Sequence, residues 1–128
     1  GRVISNFIVQ SLNGEDVTVY GDGKQTRSFC YVDDLVEGLI LLLNSKYSNP
    51  INLGNPDEYK IIDLIDLISS QLNQSISIIH KELPIDDPKK RKPDISLAKK
   101  ILGWTPKIDI GIGLEKTIKW FEALKDEA

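Results

Sequence analysis

Val17-Thr-Val-Tyr-Gly-Asp-Gly-Lys-Gln-Thr-Arg-Ser-Phe-Cys-Tyr-Val-Asp-Asp-Leu35 sets a β-branched run, a glycine-punctuated turn, a second extended run and two acids in direct succession. Val17 to Tyr20 predicts a strand, because β-branched and aromatic side chains suit a pleated surface. Gly21-Asp22-Gly23 predicts a turn, of the kind that closes a hairpin. Arg27 to Val32 reads as short and extended. Asp33 or Asp34 then reads as the cap of a helix running to about Asn44. From Leu35 to Leu43 that helix is apolar on nearly every side, which predicts burial on more than one face.

Working outward, Ile4, Phe7, Ile8 and Leu12 recur at helical spacing and predict a helix over residues 3–13, stopped by Asn13-Gly14. Ile51 to Gly54 reads as a short buried strand and Asn55-Pro56-Asp57 as a turn. Ile61, Leu64, Ile65, Ile68 and Leu72 mark another helix, and Ile76 to Ile79 a further strand. Residues 81–94 hold Pro84, Pro88 and Pro93 and predict an irregular loop. Ser96 to Leu102 is a short helix ended by Gly103, with Pro106 beyond it. Leu114, Ile118, Phe121 and Leu124 give the last helix. Helices alternate with strands, so the class is α/β or α+β.

The 128 residues are 41% hydrophobic and 27% charged, the balance of a globular domain rather than a disordered chain. The longest apolar run, Leu39 to Leu43, is far short of the ~20 residues a membrane span needs, so no membrane contact is expected in this segment. A net charge of −3 argues against a nucleic-acid binder. A lone cysteine, Cys30, excludes an internal disulfide and a CxxC metal or redox site, and fits a reducing compartment such as the cytoplasm. With one histidine, His80, no His-based metal site is expected and metal ligands are read as none. The chain holds no Met and opens Gly1-Arg2-Val3-Ile4, which reads as the C-terminal portion of a longer protein whose localisation stays open.

Of the 16 cations only Arg2, Arg27 and Arg91 are arginines. A guanidinium grips phosphate or carboxylate with two parallel bonds, whereas lysine acts as a point charge. Around the Gly21–Gly23 turn, Lys24, Gln25 and Arg27 gather donors, and Tyr20 offers a flat face. The arrangement suits a nucleotide diphosphate, although a plain hairpin turn explains the glycines equally well. Lys89-Lys-Arg-Lys92 is a basic run in a proline-stiffened loop, by itself an ordinary solvated charge cluster. Arg2, Asn6 and Gln10 form a polar stripe that reads as a solvent face. No nucleophile–base pair, carboxylate pair or metal cluster stands out, and the position four residues after Tyr31 is Leu35 rather than Lys. These residues alone lead to an anion-binding piece of an α/β protein.

Taken in order, the stretches resemble the extended short-chain dehydrogenase/reductases that act on nucleotide sugars, the NAD-dependent epimerase/dehydratase family. The resemblance rests on Val17 to Leu35, on Ile51-Asn-Leu-Gly-Asn-Pro56, and on Lys90-Arg-Lys-Pro-Asp94 with Leu102-Gly-Trp-Thr-Pro106. It covers nearly the whole chain. Asp86-Asp-Pro before Arg-Lys-Pro-Asp, and the opening Gly-Arg-Val-Ile-Ser-Asn-Phe-Ile, are most similar to the branch that decarboxylates UDP-glucuronate. Dehydratases of dTDP-glucose and 4-epimerases of UDP-sugars look less alike there.

The resemblance implies that residues 1–128 are the C-terminal substrate-binding portion of such an enzyme, with elements that complete a Rossmann domain lying before Gly1. That missing domain would bind NAD and carry the Tyr-x-x-x-Lys pair, so the chain alone is expected to be inactive. In the whole enzyme, oxidation at C4 makes a β-keto acid, loss of CO2 follows, and hydride returns to give UDP-xylose. By the same resemblance Arg27 grips the diphosphate. Arg91 lies near diphosphate or the reacting carboxylate, with proton donation a role proposed in some decarboxylases. Thr18, Val19, Tyr20, Gly21, Lys24 and Gln25 line the uridine, and Arg2 and Tyr31 add contacts. The expected partner is a UDP-sugar, with no nucleic acid. The whole enzyme is expected to be a homodimer. The isolated chain is expected to self-associate through the apolar surface of its Asp34 helix and Ile51 strand. The reading from another class is a non-catalytic module binding an acidic partner through Lys89 to Lys92.

Overall fold

The structure is a computed structural model that describes residues 3–85 and 92–127. The described residues form four helices: α1 (Val3–Leu12), α2 (Val32–Leu43), α3 (Ile61–Leu72) and α4 (Ile110–Glu127), together with a π-helical turn at Ala98–Leu102. The strands are β1 (Val17–Tyr20), β2 (Thr26–Ser28), β3 (Glu58–Lys60) and β4 (Ile78–Lys81). The mixed α/β class is as expected.

Strand pairing corrects the hairpin. β1 and β2 do not pair; β1 runs parallel to β4, and β2 runs antiparallel to β3. The turn between them instead passes the chain from one sheet to the other. Gly23 has φ +76°, and a Cβ there would come within 3.1 Å of Val19 and 3.2 Å of Ile62. The glycine is therefore required twice, by its left-handed backbone and by this close approach. Its carbonyl accepts the Ile62 N–H at 2.9 Å, which ties the turn to the start of α3.

The larger core forms where α1, β1, α3 and α4 meet, around Phe7, Ile8, Val17, Val19, Leu64 and Leu114. The periodicity of α1, α3 and α4 put these apolar residues on the inward faces. α3 ends at Asn73 in the left-handed conformation, φ 53°, as a C-cap does. β4 begins two residues later than the sequence suggests, because its register aligns Ile78 with Val17.

A second, smaller core surrounds Ile95, Ala98 and Trp104. Here three expectations change. Ile51 to Gly54 is not a strand, for it lacks a neighbouring strand among the described residues; it runs as irregular chain under α2. β3, absent from the sequence reading, forms because the chain after Asp57 lies alongside β2. The acids at the head of α2 do not cap it. Its N-cap is Tyr31, with no side-chain bond, and Asp34 turns inward, only 3% exposed.

Asp34 acts as a staple. Its Oδ2 accepts the backbone N–H groups of Lys107 at 3.1 Å and Ile108 at 2.9 Å, and its main-chain carbonyl accepts the Trp104 indole N–H at 2.9 Å. A buried carboxylate is costly unless hydrogen-bonded, and these donors supply the bonds. Gly38 completes the joint: a Cβ there would meet Leu53 at 2.9 Å and Trp104 Nε1 at 3.1 Å. The outer side of α2 is uncovered, with Val36, Leu39, Ile40 and Leu43 exposed. Among the described residues nothing buries that second face, and the exposed apolar surface expected of this helix in the isolated chain is what the structure has. The Gly103 C-cap, φ 64°, ends the π-helical turn where the sequence placed a helix stop.

Candidate functional site

Two clefts flank the segment from Phe29 to Val32, and Cys30 lines both. The first, about 560 Å³, draws on stretches distant in sequence: Arg27, Ser28 and Cys30 with Leu35, Ile51 to Asn55, and Lys92 with Pro93. β2 presents Arg27, whose Nη1 donates to the Thr26 carbonyl at 2.7 Å. Asn55 Oδ1 accepts the Asp57 N–H at 2.9 Å and so shapes the turn at the cleft edge. Asn52 reaches across to the Asp94 carbonyl at 3.4 Å. Gly54 lets the second stretch meet the third: a Cβ there would lie 2.9 Å from Pro93 Cγ.

The described lining of this cleft carries two cations, Arg27 and Lys92, and no carboxylate. In a chain of net charge −3, that is a local reversal of sign. It suits an anionic ligand, and the fixed planar donors of Arg27 suit phosphate oxygens. Asp94 lies just beyond, its carboxyl held below the usual carboxylate range by the Ser96 hydroxyl and then the Ser96 N–H. The N–H lies 2.9 Å from Asp94 Oδ1, so this carboxylate caps the turn at Ser96.

The second cleft, about 570 Å³, is largely apolar and aromatic. Tyr31, Phe29, Trp120 and Phe121 line it, with Lys116 at the rim; its Nζ sits 5.8 Å from the Tyr31 ring centre. Cys30 lies between the clefts, its thiol pushed up to about 11, first by burial and then by the Asp34 carboxylate. It is a neutral thiol at pH 7 rather than a nucleophile. Tyr59, the β3 partner of Arg27, is likewise raised, by burial and then by Asp57 and Asp109.

The candidate residues thus divide. Arg27 lines the cationic cleft and Tyr31 the aromatic one. Arg2 and Arg91 lie outside the described residues; Lys92, the neighbour of Arg91 in sequence, is in the cleft with Arg27. Thr18, Val19, Tyr20, Gly21, Lys24 and Gln25 line neither cleft. Val19 is fully buried, so only its backbone could meet a ligand.

The N–H groups of Val17 and Gly21 bond to the β4 side, so alternation turns Thr18 and Tyr20 to the opposite edge of β1. There the Gln10 amide accepts the Thr18 N–H at 3.2 Å and donates to the Thr18 hydroxyl at 3.3 Å. The Gln25 amide donates to the Tyr20 carbonyl at 2.9 Å. Gln10 is therefore more than solvent face: it holds the edge of β1. His80 Nδ1 lies 2.8 Å from the Gly21 carbonyl and donates to it.

Asn52 and Asn55 escaped the sequence reading as site residues. Their signal was weak, since short polar residues beside a proline read first as turn formers.

No described group of His, Cys, Asp or Glu could hold a metal ion. Among the described residues no helix is long and apolar enough to cross a membrane. The described strands that lead into a helix do so without a glycine-rich turn: β3 passes straight into α3 at Ile61, and β2 reaches α2 through Phe29-Cys-Tyr31. The described residues therefore do not fit the phosphate-cradling turn of a dinucleotide site.

Residues 1–54 match the NAD dependent epimerase/dehydratase family. UDP-glucuronic acid decarboxylase 1 of Xenopus tropicalis is 51% identical over 121 residues, 94% of this chain and 29% of that protein. UDP-glucuronic acid decarboxylase 3 of Arabidopsis thaliana is 52% identical over 114 residues, 89% of this chain and 33% of that protein. Among solved structures, the UDP-glucuronic acid 4-epimerase of Bacillus cereus, in complex with UDP-glucuronic acid and NAD, superposes with a TM-score of 0.90 at 29% identity. The match covers 95% of this chain and 40% of the epimerase. The UDP-glucose 4-epimerase of Thermotoga maritima, with UDP-glucose, gives 0.91 at 28% identity over 96% of this chain and 40% of its own. The chain thus spans about a third of the curated relatives. At about half identity over nearly all its residues, it is a homologue of the UDP-glucuronic acid decarboxylases, of the NAD-dependent epimerase/dehydratase family.

Proposed function

We propose that residues 1–128 form the C-terminal, nucleotide-sugar-binding part of an NAD-dependent UDP-glucuronate decarboxylase, with NAD held by residues outside this chain. The observation that carries the reading is the convergence of Arg27, the Ile51–Asn55 stretch and Lys92 on one cation-lined cleft. A pyrophosphate needs fixed donors, and Arg27 on a paired strand provides them. Arg91, next to Lys92, is proposed as the second diphosphate or carboxylate ligand and, alternatively, as a proton donor. Arg2 and Tyr31 are proposed as further contacts. The edge of β1 that presents Thr18 and Tyr20 is proposed to meet the uracil with its backbone.

The role of the chain is to bind and orient. Charge neutralisation at the diphosphate holds the sugar in place while its carboxylate leaves as CO2. Decarboxylation is favoured over epimerisation or dehydration because the decarboxylases share about half of the residues, against 29% for the epimerase of like substrate.

Calorimetric titration of the chain with UDP tests the cleft. Arg27→Ala is expected to cost about 2–5 kcal/mol of binding, and Lys89→Ala or Lys90→Ala under about 1 kcal/mol. Equal losses from every cation of residues 89–92, with no preference for UDP over other diphosphates, would instead favour the acidic-partner module. In the whole enzyme, release of CO2 and UDP-xylose from UDP-glucuronate tests the reaction.

A further inference from the structure

We infer that Asp34 is a positioning residue: by holding residues 104–108 against the start of α2, it fixes the Phe29–Val32 segment as the wall shared by the two clefts. An acid in the first turn of a helix ordinarily faces water and complements the positive helix end. Asp34 is instead buried, and its Oδ2 takes two N–H groups from residues more than seventy positions away.

Three lines of contact leave this one residue. Through the Asp34 carboxylate, Ile108 is held in place, and Ile108 lines the aromatic cleft. Through the Asp34 carbonyl, Trp104 is held, and Trp104 packs with Gly38 and Leu53 behind the cationic cleft. Through its own N–H, Asp34 bonds the Tyr31 carbonyl at 3.1 Å, next to Cys30. Removing the carboxylate orphans the backbone N–H groups of Lys107 and Ile108, and leaves the two main-chain bonds to hold the joint without them.

Cys30, the chain's lone cysteine, reports on the wall because it borders both clefts. The test is its alkylation rate by iodoacetamide as a function of pH, at a temperature where far-UV circular dichroism is native. The other charges on its two clefts are Arg27, Lys92, Lys116 and Asp109, and they are the same in every variant. Asp34→Asn keeps an acceptor and removes the charge. Below the thiol's pKa it should react about threefold faster, which is half a pH unit. Asp34→Ala should react about tenfold faster still, the lower end of what orphaned N–H groups cost.

A folded Asp34→Ala that reacts no faster than Asp34→Asn overturns the proposal, since Asp34 would then act by charge alone. If Asp34→Ala does not fold, Asp34→Ser decides. Its shorter hydroxyl can hold at most one of the two N–H groups, and it must expose Cys30 more than Asp34→Asn does; equal rates in both overturn the proposal.

A second readout rests on the reading of the cationic cleft. The UDP dissociation constant should weaken about tenfold in Asp34→Ala, the same 1.4 kcal/mol opening, and recover in Asp34→Asn. If the unaltered chain fails to bind UDP, the proposed function falls, and the alkylation comparison still decides the role of Asp34.

Discussion

α2 and α3 are each twelve residues long and rich in Leu and Ile. α3 buries Ile61, Leu64, Ile65 and Ile68, whereas α2 buries only Asp34 and Gly38. On α2 the apolar Val36, Leu39, Ile40 and Leu43 face outward, Leu43 at 83% exposure. The difference lies in what each helix meets. α3 packs against α1 and α4 in the larger core, while α2 is held by its staple, by the Glu37–Lys107 ion pair and by the small core around Trp104. Hydrophobicity thus marks α2 for burial without supplying the surface that buries it.

The largest expected effect tests this contrast from the α3 side. Leu64→Ala should destabilise the chain by about 2–5 kcal/mol, as core truncations that leave a cavity do. Leu39→Ala, on the outer side of α2, should change stability by less than about 0.5 kcal/mol. Urea melts of the two variants measure both. Equal costs would mean that α2 is covered in solution.

Self-association sharpens the comparison next. Exposed apolar patches of this kind drive association, so sedimentation should find the chain above the monomer mass. Leu39→Lys with Leu43→Lys should return it to monomer with little change in melting temperature. A monomeric, cooperatively melting parent chain would break this prediction.

The smallest effect lies at the foot of the second core. The Asp94 carboxyl is held below its ordinary value by its bonds to Ser96. Its cap contribution is therefore complete above the ordinary carboxylate pKa of about 3.9, and it fades as pH falls through the lower folded-state value. The Ser96 amide resonance should stay constant from pH 7 to about 4 and move below that. In Asp94→Ala the movement should vanish.

Legibility in the sequence followed the same division. The helices of the large core were readable because Ile4, Phe7 and Ile8, or Ile61, Leu64 and Ile68, obey a period that needs no partner to be recognised. β3 was not readable: Glu58-Tyr-Lys60 has no strand character of its own, and it exists because β2 passes beside it. Ile51 to Gly54 erred in the other direction, having strand character but no described strand to pair with. Of the site, Arg27 was legible as one of few arginines in a lysine-rich chain. Asn52, Asn55 and the inward turn of Asp34 were not, because short polar residues and helix-heading acids usually serve turns and caps.

What the amino-acid order determined alone was local: where helices start and stop, which faces are apolar, where φ must be positive, and which cations are arginine. Those follow from sterics and periodicity within a few residues. The tertiary structure alone decided that β1 pairs with β4 rather than β2, that Asp34 holds residues 104–108, and that Arg27 shares a cleft with Asn52 and Lys92. Each of these joins positions tens of residues apart, and such a contact is chosen by the packing of the whole chain, which no local pattern encodes.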